Sequence, residues 1–168
     1  MTEHLERLPR VRRVRPGPAP LTLVVDWVGG GRDTIDMTGV IARFEPFAPL
    51  AEAALFATAR PVDNGVGIGW DGGLDYSGSS LELLADEQRP MTATMLADWQ
   101  ERLGISNREA AETLGLSPRT YSYYRAGRFI PKSVSAFVRG MDREPAVFSA
   151  HYRPAAKVGR PQRGDGAS

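Results

Sequence analysis

Three glycines at near-equal spacing, Gly104, Gly115 and Gly127, restrict the stretch from Met91 to Met141 to short helices joined by tight turns. The first predicted helix has Thr92 or Thr94 near its start and Met95, Leu96, Trp99 and Leu103 at helical spacing, with Gly104 ending it. Asn107 is expected to cap the second, whose buried stripe is Ala110, Ala111 and Leu114. Ser117 is expected to cap the third, with Pro118 at the first helical position, where a missing N–H costs nothing. Tyr121 and Tyr124 share one face of that helix, and Gly127 ends it. After Arg128-Phe-Ile-Pro131 a fourth helix carries Val134, Phe137, Val138 and Met141. The small Ala110 and Ala111 let the second helix pack closely across the third, Gly115 sets the angle between them, and Leu116 is expected under the turn. A third helix held this way protrudes, and it fits a groove about 12 Å wide.

The run Ser106-Asn-Arg-Glu-Ala-Ala, then Leu114-Gly-Leu-Ser-Pro-Arg-Thr120 and Tyr124-Arg-Ala-Gly127, resembles the phage-repressor-like (Xre/Cro type) helix-turn-helix family. The resemblance implies double-stranded DNA as partner, a third helix in the major groove, and a two-fold homodimer on half-sites. Base edges fall to the start of that helix: Pro118, Arg119, Thr120, Ser122 and Tyr123. Arg119 is the first choice, because a guanidinium can bind guanine O6 and N7 with two bonds. Asn107 and Ser117 are phosphate candidates at the helix starts, and Arg125, Arg128 and Lys132 are cationic ones. For each exposed arginine the alternative is a solvated surface charge. Tyr121 and Tyr124 are read as core and Tyr123 as facing DNA. The family often has an acid where this chain has Arg125, which brings no penalty beside a phosphate backbone but removes a local helix-stabilising pair.

Arg89-Pro90 marks a boundary, since the residue before proline is pushed out of the helical region. Before it, Pro9 to Arg15 reads as an edge-like strand in which Val11 and Val14 interrupt arginines, either a basic patch or a solvated strand. Leu21 to Trp27 and Arg32 to Met37 read as a hairpin about Gly29-Gly30-Gly31, with Leu21, Leu23, Val25 and Ile35 on one packed face. Phe44 to Leu50 reads as an apolar loop, Ala51 to Thr58 as a short helix, Arg60 to Val62 and Gly67 to Trp70 as strands, and Ser79 to Glu87 as a helix. Gly67-Ile-Gly69-Trp-Asp-Gly72 matches G-x-G-x-x-G, but turn residues follow it where a dinucleotide site needs a helix, so no cofactor is expected.

The order of hairpin, Phe44-x-x-Phe47-x-Pro-Leu50, Ala54-Leu-Phe56 and Gly69-Trp70-x-Gly-Gly-Leu74-Asp75 resembles the domain of unknown function 2442 family over Leu8 to Gln88. This chain departs from it at Trp70-Asp-Gly-Gly, where the family usually has Trp-Pro-Asn-Gly. The resemblance implies a partner of small toxin-like proteins or an accessory domain, and no chemistry. The expectation is thus an α+β chain: a small α+β domain of short strands and two helices over residues 8–88, an all-α helix-turn-helix domain of about four helices over 91–141, and a basic flexible tail over 142–168.

Charge agrees with two domains. The net charge is +1, but residues 1–90 hold nine Lys/Arg against thirteen Asp/Glu, and residues 91–168 hold twelve against seven. The absence of cysteine removes disulfides, thiolate ligands and a thiol nucleophile. No run is long and apolar enough for a membrane, and Met1 to Arg7, of which the first six residues read as disordered, lacks a signal-peptide core, so a bacterial cytoplasmic protein is expected. His4 and His151, both read as lying in mobile ends, make no metal-ligand spacing. Asp63, Asp71 and Asp75 sit among turn glycines, and no nucleophile motif occurs, so no metal site or catalytic residue is expected. The tail arginines and lysine, Arg153, Lys157, Arg160 and Arg163, either add salt-sensitive DNA affinity or are a solvated end. Two functions remain: a DNA-binding repressor or autoregulator, and an antitoxin-like module that masks a small toxin, with DNA binding secondary.

Overall fold

The structure, a computed structural model, describes residues 8–155 and is α+β. It divides into two compact units, Met1–Arg89 and Pro90–Ser168. Among the described residues no helix is long and apolar enough to cross a membrane. The disordered start expected over residues 1–6, with His4, and the tail cations Lys157, Arg160 and Arg163 lie outside the described residues.

In the first unit β1 (Val11–Pro16), β2 (Thr22–Trp27) and β3 (Arg32–Asp36) form an antiparallel sheet in that order. Leu23 and Val25 of β2 and Ile35 of β3 are fully buried, and the whole of β2 is covered on both faces. Leu21, expected to share that face, is only half-buried and has φ +55°. The hairpin turns at Gly30 and Gly31 (φ +98° and +92°). Val11 and Val14 are both buried although three residues apart, which strict strand alternation forbids. The register shift between Val11 and Arg13 resolves this as a β-bulge at Arg12.

Two elements depart from expectation between the sheets. α1 (Thr38–Arg43) was not foreseen, and the predicted apolar loop is a 3-10 helix over Glu45–Ala51. α2 spans only Ala53–Phe56. A second antiparallel sheet joins β4 (Arg60–Val62), β5 (Gly67–Gly69) and β6 (Asp75–Ser77). The G-x-G-x-x-G match is the β5–β6 hairpin, closed by Trp70 N–H to Leu74 O (2.9 Å), and is not a strand-to-helix turn. α3 (Gly78–Gln88), capped by Ser77, buries Leu81 and Ala85 in the common core. The Gln88 side chain accepts from the Asp36 N–H (2.7 Å) and donates to the Asp36 carbonyl (2.8 Å), which closes the free edge of β3 as a paired strand would.

The second unit is helical: α4 (Ala93–Leu103), α5 (Asn107–Thr113), α6 (Pro118–Arg125), α7 (Lys132–Arg143) and α8 (Pro145–His151). Leu96, Trp99, Ala110, Ala111 and Tyr121 are fully buried, with Val138 and Met141 of α7 beside them. Met95, expected in the stripe, is exposed instead. α8 corrects the tail reading. Val147, Phe148 and Tyr152 pack on the helical core, and His151 meets the Phe137 ring edge-on with centroids 4.9 Å apart. The helical unit therefore continues past Met141 to Ala155.

Candidate nucleic-acid interface

Each helix end in the second unit has a local cause. Thr92 caps α4 and Gly104 ends it in the left-handed region. The cap of α5 is Ser106, not Asn107: Ser106 Oγ accepts from the Glu109 N–H (3.3 Å), and the Glu109 carboxylate accepts from the Ser106 N–H (2.8 Å), a reciprocal capping box. Asn107 is the first helical residue. Ser117 caps α6 by accepting from the Thr120 N–H (3.1 Å), and its hydroxyl lies 2.9 Å from that of Thr120. Pro118 occupies the first helical position, as expected.

Helical phase then sorts α6. Tyr121 points inward and is fully buried, and Tyr124 is half-buried against the same core. Pro118, Arg119, Ser122 and Tyr123 are exposed, and Thr120 is half-buried. The outward face is not a set of loose side chains. Arg119 Nε donates to the Tyr123 hydroxyl (2.6 Å), and the Arg119 and Arg128 guanidiniums lie 5.4 and 5.0 Å from the Tyr123 ring centroid. Cation–π contacts of this kind contribute roughly 0.5–1 kcal/mol each at exposed sites. They hold two arginines over one aromatic ring on the exposed face of α6. Ser122 donates its hydroxyl back to the Pro118 carbonyl (2.9 Å), and Lys132 is exposed at the start of α7.

Arg125 and Asn107, expected on phosphate, join a hydrogen-bond network inside the helical unit. Gln100 of α4 stands among three elements: its Oε1 accepts from the buried Tyr121 hydroxyl (2.7 Å) and from Arg125 Nη1. Its Nε2 donates to the Ile105 carbonyl (3.0 Å) and to Asn107 Oδ1 (2.9 Å), which also lies 3.5 Å from Arg125 Nη1. Arg125 is half-buried, so the guanidinium expected on phosphate ties α6 to α4. Burial pushes the Tyr121 phenol above its ordinary range. Gln100 was missed in the sequence because a polar residue next to Trp99 in an amphipathic helix reads as solvent-facing.

Glu109 was also missed. Besides Ser106, its carboxylate accepts from the Ala155 N–H (2.9 Å) and the Tyr152 hydroxyl (3.0 Å), which fastens the chain after α8 to the start of α5. The Ala155 N–H and then the Ser106 groups hold Glu109 down at about 2, against an ordinary 4.5. A carboxylate depressed by folding stabilises above its unfolded value, and that contribution is lost as pH falls through the folded one. Between pH 4.5 and about 2, therefore, the melting temperature of the wild type is expected to fall more steeply than that of Glu109→Gln. Parallel profiles would show that the carboxylate does not hold this latch.

Among the described residues no group of His, Asp and Glu is placed to hold a metal ion. No protein-family model matches the chain. No curated protein matches it either. The solved structure of the Putative DNA Binding Protein NE0471 from Nitrosomonas europaea ATCC 19718 is similar at 26% identity, covering 80% of this chain and 86% of that one, with a TM-score of 0.45.

Proposed function

We propose that the helical unit is a helix-turn-helix of the Xre/Cro type that reads duplex DNA, and that the chain is a sequence-specific transcriptional regulator, a repressor or autoregulator. What carries the reading is the exposed face of α6, where Arg119, Ser122 and Tyr123 share one side and Arg128 leans over Tyr123. In this reading α6 enters the major groove, Arg119 takes a base edge, and Ser122 and Tyr123 flank it. Ser117, Arg128 and Lys132 contact phosphate, together with the Arg119 N–H in the first turn of α6. Arg125 and Asn107 position α6 through Gln100 and need not touch DNA. Two copies bind half-sites about one helical turn apart.

The test is a salt-controlled titration on the DNA upstream of the chain's own gene and on random duplex, for wild type and Arg119→Ala. The expected result is a wild-type preference for the upstream DNA that falls by roughly 1–3 kcal/mol in Arg119→Ala. No preference in the wild type, or an undiminished one in the variant, removes α6 as the reader. The antitoxin-like reading then stands in its place, and co-purification with the product of a neighbouring gene is the next measurement.

A further inference from the structure

We propose that the outer face of the β1–β2–β3 sheet is a second DNA-binding surface, which grips phosphates without reading sequence. The bulge at Arg12 is the device that builds it. By leaving Arg12 unpaired between Val11, opposite Trp27, and Arg13, opposite Asp26, it turns Val11 and Val14 into the core and leaves Arg12, Arg13 and Arg15 exposed. An unbulged strand with this sequence would bury an arginine or expose a valine.

Register defines the rest of the face. Arg13 and Arg32 flank Asp26, Arg15 and Thr34 flank Val24, and Asp36 lies across from Thr22 at one corner. Asp26 is buried and committed: Arg32 Nε donates to it at 2.6 Å, and that bond, with the nearby charges of Arg32, Arg15 and Arg12, holds its carboxyl below the usual range. Asp36 accepts from the Thr38 N–H (2.8 Å). The acid in the middle is thus answered by Arg32, and with Asp36 at the corner counted the four arginines leave an excess of two positive charges.

The chemistry of the face selects a polyanion over a protein. Val24, the apolar residue in the middle of the face, is 7% exposed, beside Arg15, whose stem is long enough to cover it. In the middle of the face, between the arginines, no apolar or aromatic anchor is offered to a protein partner; the exposed Val28 stands at its end, past β2. Guanidiniums on a pleated strand, with Arg13 and Arg15 about 7 Å apart along it, give multidentate donors to successive phosphates. Binding of this kind is sequence-independent and salt-sensitive. It stands apart from the reading of α6 and does not require it.

The experiment uses the full chain and random-sequence duplex over a range of salt. Arg13→Gln/Arg15→Gln is expected to make the slope of log K against log salt shallower by about 2, and to weaken binding roughly tenfold or more at 50 mM salt. The Lys pair at the same positions keeps the slope. Preference for one duplex over another stays unchanged in the Gln pair, whereas Arg119→Ala changes preference, so failure of either site is told from failure of the other. Because the arginine stems also shield Val24, a second variant leaves them in place. Thr34→Glu, at an exposed position of the same face, is expected to weaken random-duplex binding in the same direction. The proposal is wrong if both variants fold and bind random duplex with the wild-type slope and affinity. It is equally wrong if they lose binding only to an acidic polypeptide such as polyglutamate.

Discussion

Gln100→Leu is expected to destabilise the helical unit by about 2–4 kcal/mol and, under the proposed reading of DNA by α6, to weaken that reading along with it. The isostere keeps volume and helix propensity, so the cost comes from the groups it strands. The Tyr121 hydroxyl is fully buried with its residue and loses its acceptor, a loss of roughly 1–3 kcal/mol by itself. The Ile105 carbonyl loses the amide donor, and Arg125 loses the partner that draws it inward. Arg125 is only half-buried, and water can recover part of that loss. Denaturant titration measures the sum, and a cycle with Tyr121→Phe isolates its largest part. Once the phenol is gone, Gln100→Leu should cost distinctly less, with a coupling of about 1 kcal/mol or more. Additive effects of the two substitutions would mean that the bond does not hold α6.

Gln100 also shows where sequence reading stops. Caps, glycine stops and apolar stripes are local signals, and those around α4 to α7 place four helices close to where they lie: Thr92, Ser117, Pro118 and Gly104 act as their residue types suggest. The one misplaced cap, Asn107 for Ser106, came from two adjacent residues with the same capping chemistry. Only the acid three positions after Ser106, closing the capping box, separates them. Exposure on α6 was legible for the same reason, because Tyr121 and Tyr123 are told apart by helical phase alone. What was not legible depends on partners distant in the chain. The direction taken by Arg125 depends on Gln100, twenty-five positions earlier. The docking of α8 depends on Glu109 receiving Tyr152 and Ala155. In the first unit the hairpin was plain, whereas α1 and β6 were hidden, since Thr38-Gly-Val-Ile and Asp75-Tyr-Ser are too short for a period to show.

The second large effect is expected at Gly65, where substitution by alanine should cost the first unit about 2–5 kcal/mol. Two causes act together. Gly65 has φ +85° and ends a turn in which Asp63 and Asn64 are already at +50° and +57°, so no relaxation toward negative φ is available locally. An L-residue in the left-handed region costs roughly 1–2 kcal/mol. A Cβ there would also lie 2.3 Å from the Val11 carbonyl oxygen, a backbone atom that cannot rotate away. Relieving that overlap means moving β1 next to its bulge, with Val11 in the core, and overpacking of this kind typically costs about 1–3 kcal/mol. Two other glycines separate the causes. Gly72 has φ +88° and open space around it, so Gly72→Ala should show the conformational cost alone, about 1–2 kcal/mol. Gly29 has open space and no positive φ, and Gly29→Ala should stay within about 0.5 kcal/mol. Chemical denaturation of the three variants should therefore rank them Gly65, Gly72, Gly29. Since β1 carries Arg12, Arg13 and Arg15, Gly65→Ala should, under the proposal of a second DNA-binding surface there, also lower random-duplex affinity at temperatures where the chain is still folded. If Gly65→Ala is no less stable than Gly72→Ala, the turn does not press on Val11, and the bulge is held by β2 alone.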